Sequence, residues 1–383
     1  MRQLIKWMIP GWMIFLLVLV VKPALAHGPD RELNRFGYGI RLNPSDPQFG
    51  EAVERANQLQ FDWVAVDYRW ATHQPLPDQD QACGELSQAM DVVDRSGLSV
   101  MISITEAPVW ALTGAGPSAD KTVQLVQKLT GCFPSVIKAL ELFPGPNTKR
   151  GWGAEPDPGD YGLFFSEIQQ TLEAAEPELM LITGGLVPVD EFRTPDHVSD
   201  QVPDVEFLER LYRGNYVLDQ AFIGIRLPEL SESGAEKSLN SAEAADIRHY
   251  EQIRKVMLEN DHREGLIWIT GFANPQGLDP SSREEDRERI SRWLQETYLL
   301  IRSQLYIQAA FFTPDESVNR SLFVSPGESL SKEEIPSFIP TENHPRENAG
   351  ISGDRRSPQG FVISKKLTDK SLTKKTAGAA HEE

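Results

Sequence analysis

Eight short apolar runs recur between residues 36 and 312, each followed by a longer segment whose apolar residues fall at helical spacing. The runs are FGYGIRL (36–42), WVAVDYRW (63–70), LSVMISIT (98–105), IKALELF (137–143), LMLITGGL (179–186), QAFIGIRL (220–227), GLIWITGF (265–272) and LYIQAAFF (305–312). Between them lie GELSQAMDVVDRSG, DKTVQLVQKLTGCF, DYGLFFSEIQQTLEAAEP, VEFLERLYRGNY, AADIRHYEQIRKVMLEND and REEDRERISRWLQETYLLIRSQ. Several of these open on Ser, Asp or Pro and close on Gly or Asn, as helices do. Near-continuous apolar strands are buried on both faces, which a parallel sheet under helices provides. Eight such units predict a single-domain α/β (β/α)8 TIM barrel. The competing architecture is an open doubly wound sheet, but FGYGIRLNPSDPQFG lacks the glycine-rich phosphate loop expected after its first strand.

The ends of the chain read differently from this body. Residues 1–26 carry Arg2 and Lys6, an apolar run to Val21 and then Ala24-Leu25-Ala26, the layout of a signal peptide cleaved near Ala26. The expected product is a secreted protein; the alternative is a chain tethered to the membrane by an uncleaved N-terminus. Residues 27–325 form the expected barrel, and 326–383, rich in Ser, Pro, Glu and Lys, read as a disordered polar tail.

The formal charge is −18. Residues 1–26 hold only basic charges and the tail is balanced, so the acidic excess lies in the body. Such a surface repels nucleic acid and anionic membranes. Cys83 and Cys132 are the two cysteines, too few for a disulfide scaffold or a Cys-rich metal site. With Cys83 near the start of one helix and Cys132 near the end of the next, level helices would hold them roughly 20 Å apart at ~1.5 Å per residue, which predicts no bridge. The seven histidines are scattered without ligand spacing, so neither metal nor cofactor is expected. SREEDRERISRW reads as a solvated helix face.

In a barrel of this kind chemistry belongs to the C-terminal ends of the strands and the loops after them. WVAVDYRWATHQPLPDQ resembles the W-V-R-V-D-x-x-W…Q-P of clan A glycoside hydrolases, nearest to families 5 and 39. ISITEAPVWALTGAGPSAD carries their P-x-W-A, and ALELFPGPNTKRGWGAEPDPGDY parallels E-I-W-N-E-P-N with its following Trp and P-D-P…Y. LIWITGFANPQG parallels I-W-V-T-E-F-G. The likeness runs from about residue 36 to 325.

Retaining enzymes of that clan use two carboxyl groups about 5–5.5 Å apart, an acid/base and a nucleophile. The resemblance puts the first at Gly145 and the second at Gly271. Both carboxylates are therefore missing, and the supporting positions differ as well. The strand-two Arg falls on Ala65, the strand-six H-x-Y on Arg226 and Pro228, and the strand-eight Trp near Phe311 or Phe312. The expectation is a catalytically degenerate barrel that binds carbohydrate or serves as a scaffold. The alternative is an active hydrolase with relocated carboxylates, for which Glu106, Glu141 and Asp67 are the candidates. In the family pattern Asp67 and Glu141 have scaffold equivalents, and Glu106 also reads as an exposed loop-edge residue. Candidate ligand contacts are Trp70, Trp110, Asn147, Trp152 and Arg226. Trp70 and Trp110 are equally readable as packing over the barrel, while Trp268 and Trp293 are expected in the core. Oligomeric state is left open.

Overall fold

The computed structural model describes residues 36–318 apart from 80, 177, 190–199, 215, 217, 219–220, 229–246, 276–277, 279–283 and 316–317. The expected signal peptide and polar tail lie outside the described residues. All eight expected strands form: β1 (Gly37–Arg41), β2 (Trp63–Arg69), β3 (Ser99–Thr105), β4 (Ile137–Leu142), β5 (Met180–Thr183), β6 (Ile223–Arg226), β7 (Ile267–Ala273) and β8 (Ile307–Thr313). They make one parallel sheet in the order β5-β4-β3-β2-β1-β8-β7-β6. Parallel bridges Ile182–Phe222 and Leu186–Ile225 join the two ends of that order. There Thr183 N donates to Phe222 O at 2.9 Å and Leu186 N to Gly224 O at 3.0 Å, so the sheet returns on itself as a TIM-type barrel.

Helices α1 (Phe49–Gln58), α2 (Ala82–Ser96), α3 (Ala119–Cys132), α4 (Pro158–Ala175), α5 (Asp204–Arg213), α6 (Tyr250–Glu259) and α7 (Glu284–Arg302) occupy the connections. Their local signals are legible. In α1 the buried residues Phe49, Ala52, Val53 and Ala56 fall three and four apart and make one stripe. Helix α4 begins where Asp157 accepts from the Asp160 amide at 2.9 Å, with Pro158 in the first turn, where its missing N–H is harmless. Helix α2 ends on Gly97 at φ 75°, a left-handed stop that glycine takes without strain.

Strand alternation divides the barrel interior into an apolar floor and a polar mouth. On β2 the inward positions run Trp63, Ala65, Asp67, and on β3 Met101 is followed by Ser103. The floor packs Trp63, Met101, Trp268 and Phe311, with Trp63 edge-on to Trp268 at 5.3 Å between ring centres. Each such ring contributes about 1.5–3 kcal/mol by leaving water. Trp268 and Trp293 are core residues, 1% and 4% exposed.

One expectation fails. Cys83 and Cys132 are joined by a disulfide, their Cα atoms 6.1 Å apart. The 20 Å separation assumed that α2 and α3 stand level, whereas the first turn of α2 lies against the last turn of α3. The bridge closes a segment of 49 residues, for which chain entropy predicts about 4 kcal/mol of stabilisation.

Candidate ligand-binding site at the barrel mouth

The register of neighbouring strands places Asp67, Ser103 and Glu141 side by side in one inward row. Arg41, the last residue of β1, reaches across this row. Its Nη1 donates to Asp67 and to Ser103 Oγ at 3.0 Å, while Nη2 donates to Glu141 Oε2 at 3.0 Å and to the Thr270 carbonyl at 2.7 Å. Glu141 accepts in addition from Ser103 Oγ and from the Gly185 amide, the latter at 3.0 Å. Burial opposes the charge on Arg41, yet Asp67 and Glu141 outweigh it and lift the pKa above its usual value. The sequence reading missed Arg41. A signal existed: Gly37, Gly39 and Arg41 share the inward face of β1, where a cation needs partners.

Glu141 is fully buried with both oxygens bonded, so its place is in the scaffold. Asp67 is half-exposed and holds the other side of Arg41. Ala65, at the position where the family pattern carries Arg, is the register partner of Arg41. A guanidinium thus stands at this level of the barrel, supplied from the neighbouring strand.

Gly145 sits in a turn after β4, its amide donating to Gly185 O at 2.9 Å and its carbonyl accepting from Thr148 N at 2.9 Å. Its φ is +75°, and an added Cβ would stand 3.2 Å from Val187 Cγ2 and 3.3 Å from Thr148 Oγ1. A glutamate there would be strained by its backbone as well as crowded. Gly271 differs: its Cβ would meet nothing closer than Thr313 Oγ1 at 3.5 Å, with Arg226 Cγ and Nε at 3.8 Å. Arg226, its register partner on β6, lies beside the space that a side chain at 271 would enter.

Above the row opens a cleft of about 1010 Å³, walled by Asp67, Arg69, Glu106, Gly145, Lys149 and Arg226 among others. Lys149 pairs with Glu155 and, at 3.5 Å, with Asp200. Glu106 is exposed, at φ +52°, and its side chain makes no hydrogen bond or ion pair among the described residues. Arg226 is partly buried and its Nε is enclosed without a partner. Desolvation lowers its pKa, as does Arg41 beside it, against the pull of Glu141 and Asp67.

The aromatic candidates are placed differently from the expectation. Trp70 and Trp152 are each 1% exposed. Trp152 donates to Ala115 O at 3.0 Å, and Phe143, Tyr161 and Phe164 pack around it at 5.1–6.2 Å. Gly116 lies so close over its ring that a Cβ there would fall 2.2 Å away. Trp70 donates to Gln74 Oε1 at 3.1 Å and meets Trp110 edge-on at 5.5 Å. Trp110, partly exposed, donates to Gln74 O at 3.2 Å with Lys121 Nζ 5.7 Å over its ring. Neither Trp70 nor Trp152 offers a free face to a sugar; tertiary packing has taken both, and no tryptophan among the described residues walls the cleft. Asn147 is likewise fully buried, its amide donating to Val187 O and Val202 O at 2.8 and 2.9 Å and accepting from Val187 N at 3.0 Å. It staples the loop, and being fully buried it presents nothing to a ligand. Phe311 and Phe312 are both fully buried, the first stacked on Trp268 within the barrel and the second against Trp293 outside it. Of the five expected ligand contacts, Arg226 alone reaches the cleft wall.

No protein-family profile matches the chain, and no characterised protein matches it by sequence. By fold it is similar to glycoside hydrolases of clan A. A family 39 glycoside hydrolase from Bacteroides cellulosilyticus WH2 superposes with a TM-score of 0.53 and 16% identity, over 80% of this chain and 62% of that one. The chain thus spans less than two thirds of that relative. The family 5 enzyme PbGH5A from Prevotella bryantii B14 gives 0.52 and 12% identity, over 80% of this chain and 97% of its own. A broad-specificity family 5 endoglucanase from an uncultured bacterium gives 0.55 and 12%, over 81% and 95%.

Proposed function

We propose that the chain is a secreted, non-hydrolytic saccharide-binding barrel whose ligand occupies the mouth cleft above the Arg41 row. The observation that carries this reading is the pairing of an open cleft with glycine at both positions where the resemblance puts a catalytic glutamate. Retaining hydrolysis needs two carboxyl groups about 5–5.5 Å apart, free to exchange a proton and to attack the sugar. Glu141 is buried and spent on Arg41, Ser103 and Gly185, and Asp67 is bound to Arg41. The left-handed backbone at Gly145 argues that the loop has settled into a shape a glutamate no longer fits. With no tryptophan among the described residues of its wall, the cleft holds its ligand through charged and polar groups. Export is supported by the apolar leader and by the Cys83–Cys132 bridge, since disulfides persist in oxidising compartments.

The second reading, an active hydrolase with relocated carboxylates, is favoured by Glu106, exposed on the cleft wall without a side-chain partner among the described residues. A panel of aryl glycosides and polysaccharides separates the two. We expect no turnover above the uncatalysed rate, together with retention on at least one immobilised glycan. Turnover abolished by Glu106→Gln would establish the hydrolase. Absence of both turnover and retention leaves a scaffold role.

A further inference from the structure

At the barrel mouth the charges balance but the hydrogen bonds do not. Arg41 and Arg226 share the row with Asp67 and Glu141, two cations with two anions. The carboxylates are engaged by Arg41, Ser103 and the Gly185 amide. Arg226 carries five N–H donors in a planar fork. Its Nε is enclosed and unbonded, and its side chain makes no hydrogen bond or ion pair among the described residues. A buried donor left without an acceptor is unfavourable, and the neighbouring Arg41 adds repulsion. The Nη groups are not enclosed, and a ligand oxyanion that meets them from the cleft offsets the repulsion.

The fork selects the kind of oxygen. Two parallel N–H groups match the two oxygens of a carboxylate, whereas a sugar hydroxyl meets them singly. Outside Arg226, Arg69 and Arg150 are exposed on the cleft wall without a side-chain partner among the described residues. Glu106 opposes them, and Asp200 is already paired with Lys149. In a chain of net charge −18 this wall reverses the sign of the surface and favours entry of an anion.

We propose that Arg226 anchors an oxyanion subsite, so that the saccharide held by the cleft is an acidic one with its carboxylate in the Arg226 fork. The inference rests on the saccharide reading above and adds the class of sugar. Gly271 supplies an internal check. Its Cβ position lies 3.8 Å from Arg226 Nε with ordinary clearance, so Gly271→Glu places a carboxylate of the chain itself beside that fork.

The test is calorimetric titration of the full chain with trigalacturonate, cellotriose, acetate and inorganic phosphate, in the wild type, Arg226→Gln and Gly271→Glu, with Tm measured for each. Trigalacturonate should bind the wild type about tenfold or more tightly than cellotriose, and both substitutions should abolish that preference. Arg226→Gln removes no hydrogen bond or ion pair among the described residues and relieves the repulsion from Arg41, and the Cβ of Gly271→Glu has ordinary clearance, so neither should lower Tm. The two variants thus guard against loss of binding through misfolding. Equal binding of both trisaccharides, unchanged in Arg226→Gln, overturns the subsite and leaves the saccharide reading standing. Arg226-dependent binding of acetate or phosphate with neither trisaccharide bound keeps the subsite and removes the saccharide. Binding of no probe overturns the proposal.

Discussion

Arg41 ties the mouth together through four acceptors on four strands. The two ion pairs it makes are unequal. Asp67 is 43% exposed, so water screens that half, while Glu141 is fully enclosed and dominates the energetics. Replacing Arg41 by Met leaves Glu141 buried without its cation, and the expected loss is about 3–5 kcal/mol in urea denaturation. A loss below about 1 kcal/mol would mean that the row is solvated and the polar mouth is not a built network. Residue identity told part of this in advance. That glycine stands at 145 and 271 was legible, and the scaffold place expected of Glu141 agrees with its burial and its bonds to Arg41 and the Gly185 amide. The fate of Asn147, Trp70 and Trp152 was not legible. Whether an aromatic ring in a loop faces solvent or turns inward depends on residues far along the chain, here Gly116 and Phe164 for Trp152.

At the scale of single elements the sequence was most informative, because caps and periodicity are local. The helical spacing of DYGLFFSEIQQTLEAAEP places α4, and the helix starts two residues earlier, at Pro158, where the Asp157 side chain accepts from the Asp160 amide. Asp157→Ala should destabilise the protein by about 1 kcal/mol in chemical denaturation, and an unchanged midpoint would show that α4 is held by packing alone. The strands were equally plain, since their apolar runs are short, β-branched and bounded by turn residues. What an element cannot announce is its offset from the next one. The expectation of unpaired cysteines failed there, because the setting of α2 against α3 is fixed by how both pack on the barrel.

For the molecule as a whole, the barrel buries tyrosine hydroxyls that must stay protonated. Desolvation raises the pKa of Tyr68, Tyr161, Tyr250 and Tyr298, and lifts Tyr306 to about 12. Tyr298 donates to Gly39 O at 2.8 Å, whereas the Tyr68 and Tyr250 hydroxyls are enclosed without partners. In the unfolded chain these groups release protons near pH 10, so above that value the folded state binds more protons than the unfolded one. Stability present below about pH 10 is then lost as pH rises through the folded values, the first near 12. Tm should fall steadily over that range, with tyrosinate absorbance rising as the protein unfolds. A Tm that stays flat while tyrosinate forms would mean that these hydroxyls are in contact with water.

The sequence by itself determined the eight strands of the barrel, the helices between them and the glycines at 145 and 271, because strand and helix periodicity and residue identity are properties of short stretches. Only the tertiary structure decided which groups reach the mouth. Arg41 crosses from β1 to Glu141, a separation of 100 residues, and Arg226 stands over Gly271 because β6 and β7 pair in that register. Those relations arise when the sheet closes. No local pattern specifies them, so of the three tryptophans, Asn147 and Arg226 expected at the cleft, Arg226 alone stands on its wall.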